Sequence, residues 1–319
     1  MTTTDTVRPT EADIKILLEA GCHFGHQTKR WNPKMKPYIF GVRHGIHVIN
    51  LDCTWDGIQN ACAFVKSTVE QGRQVLFVGT KKQAQEIIRS TAEESGQPYV
   101  VNRWLGGMLT NNRTIRQSVA RMTKIEAMEK DGSLDKLPKK EASVLRHELA
   151  KARKSLGGVK NMNSLPAAVF VVDVCREKLA VDEAHKLGIP VIAMVDTNAD
   201  NVDKISHVIP SNDDAIRSIQ CIVGRVGEVL KEATASFAQN AEDLQRQRAI
   251  EEAEAKARQA AIDEQRKARD REARRKRAEA VAKLKAESAA APAPDAPAEP
   301  AAPAAPDAPP AAETPATEG

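Results

Sequence analysis

The densest collection of side chains able to do chemistry lies in residues 21–50, GCHFGHQTKRWNPKMKPYIFGVRHGIHVIN. It holds five cations, Lys29, Arg30, Lys34, Lys36 and Arg43, and no Asp or Glu. Trp31, Tyr38 and Phe40 are interleaved with that charge, although only 3% of the chain is aromatic. Pro33 and Pro37 fix φ and remove two N–H donors, which excludes a regular helix through the middle. The expectation is an extended, stiff, basic loop with flat side chains. Its partner should be anionic and offer faces to stack on, and folded RNA has both properties. The competing reading is a solvated loop that tucks its aromatics under itself. A second stretch, NRWLGGMLTNNRTIR over 102–116, carries Arg103, Arg113 and Arg116 beside Trp104 and a Gly-Gly pair. Arginine bridges phosphates bidentately. Trp104 either stacks on the same partner or, with Leu105, anchors the following helices.

Other chemistries have weaker signatures. Parallel α/β sheets bind ligands at the carboxyl ends of their strands. Here those ends would supply Gly79-Thr80-Lys81-Lys82, Asp173, Asp196-Thr197-Asn198 and Ser211-Asn212-Asp213. GTKK after a strand can hold a phosphate at a helix N-terminus. The GxxxxGK[ST] and GxGxxG spacings are both missing, however, so a structural strand-to-helix turn is the reading adopted. An α/β enzyme or nucleotide-binding protein using the crevice around Lys81, Asp196 and Asp213 is the alternative. For a metal, His23 and His26 are three apart, and Asp196 and Asp213 belong to an acidic cluster near strand ends. His23, Asp196 and Asp213 are the candidate ligands if the fold brings them together. No GxSxG or HExxH occurs, and no cofactor is expected.

These residues must be positioned by a recognisable alternation. Thr10 with Asp13 forms a capping box for a short helix. A strand is expected over 45–51, a helix over 52–70, a buried strand over 75–78, a helix over 81–95 and a short strand over 99–101. The pattern resumes with strands at 167–172, 190–195 and 205–209, a helix over 176–187, and a helix that Asp213 and Asp214 open. This is a doubly wound parallel α/β sheet. Between its halves, 111–129 and 138–156 read as two helices about 30 Å long, with apolar spacings that suggest an antiparallel coiled-coil hairpin projecting from the sheet. The organisation expected is a disordered N-terminus over 1–9, an α/β domain over 10–110 and 158–230, and the inserted hairpin over 111–157. A charged, partly helical arm follows over 231–288, and a disordered Ala/Pro-rich tail over 289–319.

A net charge of +4 over 319 residues conceals strong segregation. Residues 101–160 hold fourteen Lys+Arg against six Asp+Glu, whereas 161–230 hold six against ten. A basic face and an acidic region that points away from RNA are expected. Five cysteines with no CxxC pair suggest buried free thiols in a reducing compartment. The N-terminus fits neither a signal nor a transit peptide, and no apolar run approaches a membrane span, so a soluble cytoplasmic protein is expected.

HFGHQTKRWNPKMKPYIFG, VLFVGTKKQA, RWLGGMLTN, SLGG, IPVIAMVDTN and IPSNDDAIR, in that order, closely resemble the bacterial small-subunit ribosomal protein S-two family. The likeness runs from about residue 11 to about residue 230. It implies a Rossmann- or flavodoxin-like sheet with an inserted helical hairpin and a non-enzymatic role. It further implies contacts with small-subunit rRNA and neighbouring ribosomal proteins, help in docking the mRNA-binding protein S-one, and no functional homo-oligomer. Lys29, Arg30, Lys34, Lys36, Arg43, Arg103, Arg113 and Arg116 are expected to meet phosphates, with Trp31 and Tyr38 packing on RNA. Residues beyond 231 depart from the shared pattern.

Overall fold

In the computed structural model, residues 9–162 and 164–288 are described. Of the ends expected to be disordered, 1–9 and 289–319, residues 1–8 and 289–319 lie outside the described residues. The chain divides into two compact units, Met1–Arg246 and Gln247–Gly319.

The first unit begins with α1 (Glu11–Glu19), which the Thr10–Asp13 capping box closes at its N-terminus. Strands β1 (Phe24–Gln27), β2 (Ile39–Arg43) and β3 (Ile46–Ile49) follow, then α2 (Leu51–Glu70), capped by Asn50. Next come β4 (Val75–Val78), α3 (Lys82–Ser95) and β5 (Tyr99–Val100). The insertion contains α4 (Asn112–Lys130) and α5 (Lys139–Leu156). The chain continues through β6 (Ala168–Val172), α6 (Lys178–Lys186), β7 (Val191–Val195), β8 (His207–Pro210) and α7 (Ile216–Ser288).

Five strands form a parallel sheet in the order β5-β4-β6-β7-β8. Every residue of β4, β6 and β7 is buried, as their unbroken apolar composition requires of strands covered on both faces. The period of two sorts their side chains into two cores. Phe77, Phe170, Ile192 and Met194 pack with Ile58 and Val65 of α2, Ile88 of α3 and Ile219, Val223 and Val226 of α7. Leu76, Val78, Val169, Val171 and Val195 pack on the other side, with Val181 and Ala184 of α6. Register sets Phe77 beside Phe170, with ring centroids 5.1 Å apart.

Sequence and structure part at the basic stretch. It is not an extended loop, and the strand expected over 45–51 does not join the parallel sheet. β1, β3 and β2 form a separate three-stranded antiparallel sheet. The deciding feature is His44-Gly45, both in the left-handed region (φ 53° and 75°), which makes a tight hairpin turn between β2 and β3. A strand tied by two residues to its predecessor pairs with that predecessor. Pro33 and Pro37 do exclude an α-helix, but residues 33–38 form 3-10 turns instead, with Met35 fully buried beneath them.

The helix expected to open at Asp213 begins at Ile216. Asn212 Oδ1 accepts from the backbone N–H of Asp214 and Ala215, which makes a turn ahead of the helix and leaves the Asp213 and Asp214 carboxylates to other partners. Burial along α7 continues past residue 230 to Ala233, and the Phe237 ring lies over Gly72.

α4 and α5 occupy the places expected. Ion pairs link them, Arg121 with Glu148 and Arg153 with Glu126 and Glu129, and their buried Met122, Ile125, Leu149 and Leu156 belong to the second core. Of the five cysteines, all free, only Cys22 and Cys62 are buried, and Cys175 is exposed. Burial of the whole set, as expected from their apolar neighbours, does not hold.

The segment leading into α4 is organised by one carboxylate. Glu183 of α6 accepts from Trp104 Nε1 (3.0 Å), from the backbone N–H of Gly107 (2.8 Å), Leu109 (3.0 Å) and Thr110 (3.1 Å), and from Thr110 Oγ1 (3.1 Å). Trp104 is thereby buried, so it anchors the segment rather than offering a stacking face. Burial raises the Glu183 pKa, but the hydrogen bonds from Trp104, Thr110, Gly107 and Leu109 outweigh it, and the net shift is downward. A depressed folded-state pKa contributes stability above the unfolded value and loses it as pH falls through the folded value. Glu183→Ala is therefore expected to cost about 2–3 kcal/mol at neutral pH, because several N–H groups are left without their acceptor. Urea unfolding across pH 7 to 3 checks this: the gap to the parent chain should narrow on the acid side. A gap that stayed constant would show that the charge of Glu183 contributes nothing.

Candidate nucleic-acid interface and strand-end crevice

The small antiparallel sheet sits over the carboxyl ends of the parallel strands, held by the hydroxyl and the carbonyl of Thr197, just beyond β7. The His26 N–H donates to Thr197 Oγ1 (2.8 Å) and the Asn32 N–H to the Thr197 carbonyl (2.8 Å). Asn32 Nδ2 reaches Asp200 (2.9 Å), and Lys34 pairs with Asp203. On the β8 side, the Asn212 N–H donates to the Cys22 carbonyl (3.1 Å) and its Nδ2 to the Gly21 carbonyl (3.2 Å). Gly25 is the point of closest approach: a Cβ there would stand 2.7 Å from Thr197 Cγ2 and 3.0 Å from the His47 carbonyl.

Beneath this cover lies a charged cluster. Lys81, at the start of α3, is buried among three carboxylates, with Nζ 2.8 Å from Asp213, 2.6 Å from Asp214 and 3.4 Å from Asp173. Burial disfavours its ammonium, but Asp213, Asp214 and Asp173 outweigh that penalty and raise its pKa. Burial, together with Asp173 and Asp196, pushes Asp213 up to about 7. His26 joins the cluster, Nδ1 3.0 Å from Asp196 and Nε2 3.4 Å from Asp214. Its pKa is raised, chiefly by the Asp196 hydrogen bond.

The candidate ligands named from sequence, His23, Asp196 and Asp213, do not form one group among the described residues. His26, Asp196 and Asp214 bring one ligand atom each within 4.8 Å of one another. They could hold a divalent cation by nitrogen and carboxylate oxygen. His23 lies against Phe24, with ring centroids 4.0 Å apart, and Asp213 is committed to Lys81. The GTKK turn is engaged from within the chain. Glu177, itself buried, accepts from the Thr80 N–H (2.9 Å) and Thr80 Oγ1 (2.5 Å), so the turn before α3 is committed to a carboxylate of the chain.

The basic residues divide into two groups. Lys29, Arg30 and Lys36 in the connection between β1 and β2, Arg43 at the end of β2, and Arg103, Arg113 and Arg116 around the start of α4 are exposed and have no ion-pair partner among the described residues. Lys34 is exposed but paired with Asp203. Trp31 is 37% exposed, its ring 5.1 Å from that of His47, whereas Tyr38 packs against the second core and offers little face. The aromatic most open to a partner is Phe40 at 80%, followed by Phe24 at 51%. Strand alternation could have found Phe40, since Ile39 points inward and the next residue must point out. The acidic region does not face wholly away from the basic one, because Asp196, Asp200, Asp203 and Asp214 hold the basic segment in place.

Gly25→Ala would drive a Cβ into fully buried Thr197, which has no room to swing, at an overpacking cost of about 1–3 kcal/mol. A lowered urea midpoint at unchanged m-value checks this. No change in midpoint would mean that the small sheet is not seated on Thr197.

A family model described as Ribosomal protein S2 matches residues 17–233. A protein of Marinobacter nauticus described as small ribosomal subunit protein uS2 is 51% identical over 234 residues, which cover 73% of this chain and 93% of that protein. The matched residues contain the parallel sheet, the small sheet docked at Thr197, and α4 and α5. The chain belongs to the ribosomal protein S2 family.

Proposed function

We propose that this protein is a structural constituent of the small ribosomal subunit. It binds small-subunit rRNA through the outer side of its small basic sheet and the arginines around the start of α4. The observation that carries this reading is the fate of the strand-end crevice. In a doubly wound sheet that crevice is where a ligand binds. Here the chain's own small sheet covers it, Lys81 is saturated by carboxylates, and Glu177 holds Thr80 in the turn before α3. The cations left without acid partners are exposed on the covering element, where they would neutralise phosphates. Phe40 and Trp31 lie between them as surfaces for unstacked bases. The reading makes the parallel sheet a rigid support rather than a catalyst.

The same reading makes rRNA and adjacent small-subunit proteins the partners, the mRNA-binding protein S-one among them, and the ribosome in the cytoplasm the location. No described helix is long and apolar enough to cross a membrane.

Removal of one phosphate-binding cation should reduce the salt slope of RNA binding by roughly one. Replacing Lys29, Arg30 and Arg43 together by Gln is therefore expected to flatten the slope by about three, while Lys34→Gln alone changes it less because Asp203 already competes for that ammonium. Filter binding of the full chain to a small-subunit rRNA fragment at stepped salt measures both. Sedimentation of cell lysate gives the cellular test: the protein should travel with the small subunit and leave it at high salt. A protein confined to the top of the gradient at every salt concentration would end the ribosomal reading.

A further inference from the structure

The second compact unit, Gln247–Gly319, lies beyond residues 17–233, which match the family. Its charge is far from uniform. Residues 266–277, RKARDREARRKR, hold eight Lys+Arg against two acids, a net +6 in twelve residues. This run is helical, within α7. We propose that it is a second RNA-binding element, a basic helix face that follows the phosphate backbone of folded RNA.

The argument begins with helix geometry. At about 3.6 residues per turn, Lys267, Arg271 and Arg274 fall at i, i+4 and i+7 and form one line. Arg266 and Arg277, eleven residues and about three turns apart, flank that line. All five side chains are exposed. From Arg266 to Arg277 the face is about 17 Å long at about 1.5 Å per residue, enough to meet several backbone phosphates.

Acids do little to neutralise this face. Glu272 pairs with Lys276 (2.7 Å) and Glu279 with Arg275 (3.3 Å), both at i,i+4 and both away from the line of Lys267, Arg271 and Arg274. Within residues 266–277 the acids are Asp270 and Glu272 alone, against eight cations. Arg271, Arg274 and Arg277 have no carboxylate partner among the described residues. A helix stabilised only by its own ion pairs would match acids to these arginines one for one. This one leaves a polycationic edge in excess.

The partner follows from what the helix lacks. Residues 266–280 contain no apolar residue larger than alanine, so there is no side to bury in a lipid interface, which basic membrane-surface helices require. Nor are there large apolar anchors of the kind that seat a helix in a protein groove. What remains is electrostatic, sequence-independent binding. Arginine predominates over lysine, six to two, which suits bidentate contact with phosphate oxygens. The choice of RNA among polyanions rests on the ribosomal reading above.

The test uses the full chain and three proteins: the parent, an arm variant (Arg271→Gln, Arg274→Gln, Arg277→Gln) and a core variant (Lys29→Gln, Arg30→Gln, Arg43→Gln). Glutamine keeps helix propensity, and far-ultraviolet circular dichroism confirms that the arm remains helical. Probes are an RNA hairpin of arbitrary sequence and phosphatidylserine vesicles, each titrated at stepped salt. The arm variant is expected to bind the hairpin about tenfold more weakly at low salt, with a slope shallower by roughly two to three. An arm variant that matches the parent in affinity and slope, while the core variant weakens, overturns the arm's role and leaves the ribosomal reading standing. A parent chain that ignores the hairpin overturns both. Weaker vesicle binding in the arm variant with hairpin binding intact would assign the face to a membrane surface and overturn the RNA partner.

Discussion

Much of the first unit depends on one contact, the seating of the small antiparallel sheet on Thr197 at the carboxyl end of β7. Two backbone N–H groups, of His26 and Asn32, find their acceptors there, and Gly25 supplies the missing Cβ that lets the two layers meet. Buried backbone donors must be paired, so the contact is a strict geometric condition rather than a loose apolar packing. Because it holds, the strand ends are covered, Lys81, Asp196 and Asp213 are buried beneath, and Lys29, Arg30, Lys36 and Arg43 are carried outward on a firm base.

The acidic residues near the strand ends acquire their meaning from this arrangement. Asp173, Asp196, Asp213 and Asp214 crowd one lysine and one histidine, and burial strengthens their mutual repulsion unless cations and donors offset it. Here Asp213 and Asp214 are tied to Lys81, Asp196 and Asp214 to His26, and Asp200 and Asp203 to the covering segment. Acid and base regions that look separate along the chain are opposed across a contact. The basic segment is thus held by part of the acidic region and still presents cations on its outer side.

Glu177 and Glu183 play a comparable part at two loop positions. Each accepts from a neighbouring segment, Glu177 two hydrogen bonds from Thr80 and Glu183 five across residues 104–110. A carboxylate with several lone pairs can organise irregular backbone that no ladder satisfies. The consequence is local: the first fixes the turn before α3, and the second fixes the segment from which Arg103 and Arg113 emerge.

The parallel sheet and its helices were legible in the amino-acid order, because unbroken Val/Ile/Leu/Phe runs, helical periodicity and Gly or Asn punctuation are local signals. The strands 75–78, 167–172 and 190–195, the helix after Asn50, and α4 and α5 could all be placed within a residue or two. The exposed cations were legible too, since charge without nearby acids has few other places to go than the surface. Other features took shape only in three dimensions: β3 joins a second sheet, His26 rather than His23 meets Asp196, Asp213 serves Lys81, Tyr38 packs inward and Phe40 stands out. Apart from the hairpin turn at His44-Gly45, these depend on segments that meet from opposite ends of the α/β unit. That meeting is set by the fit of Gly25 against Thr197 and by paired backbone groups, and spacing along the chain carries no trace of either.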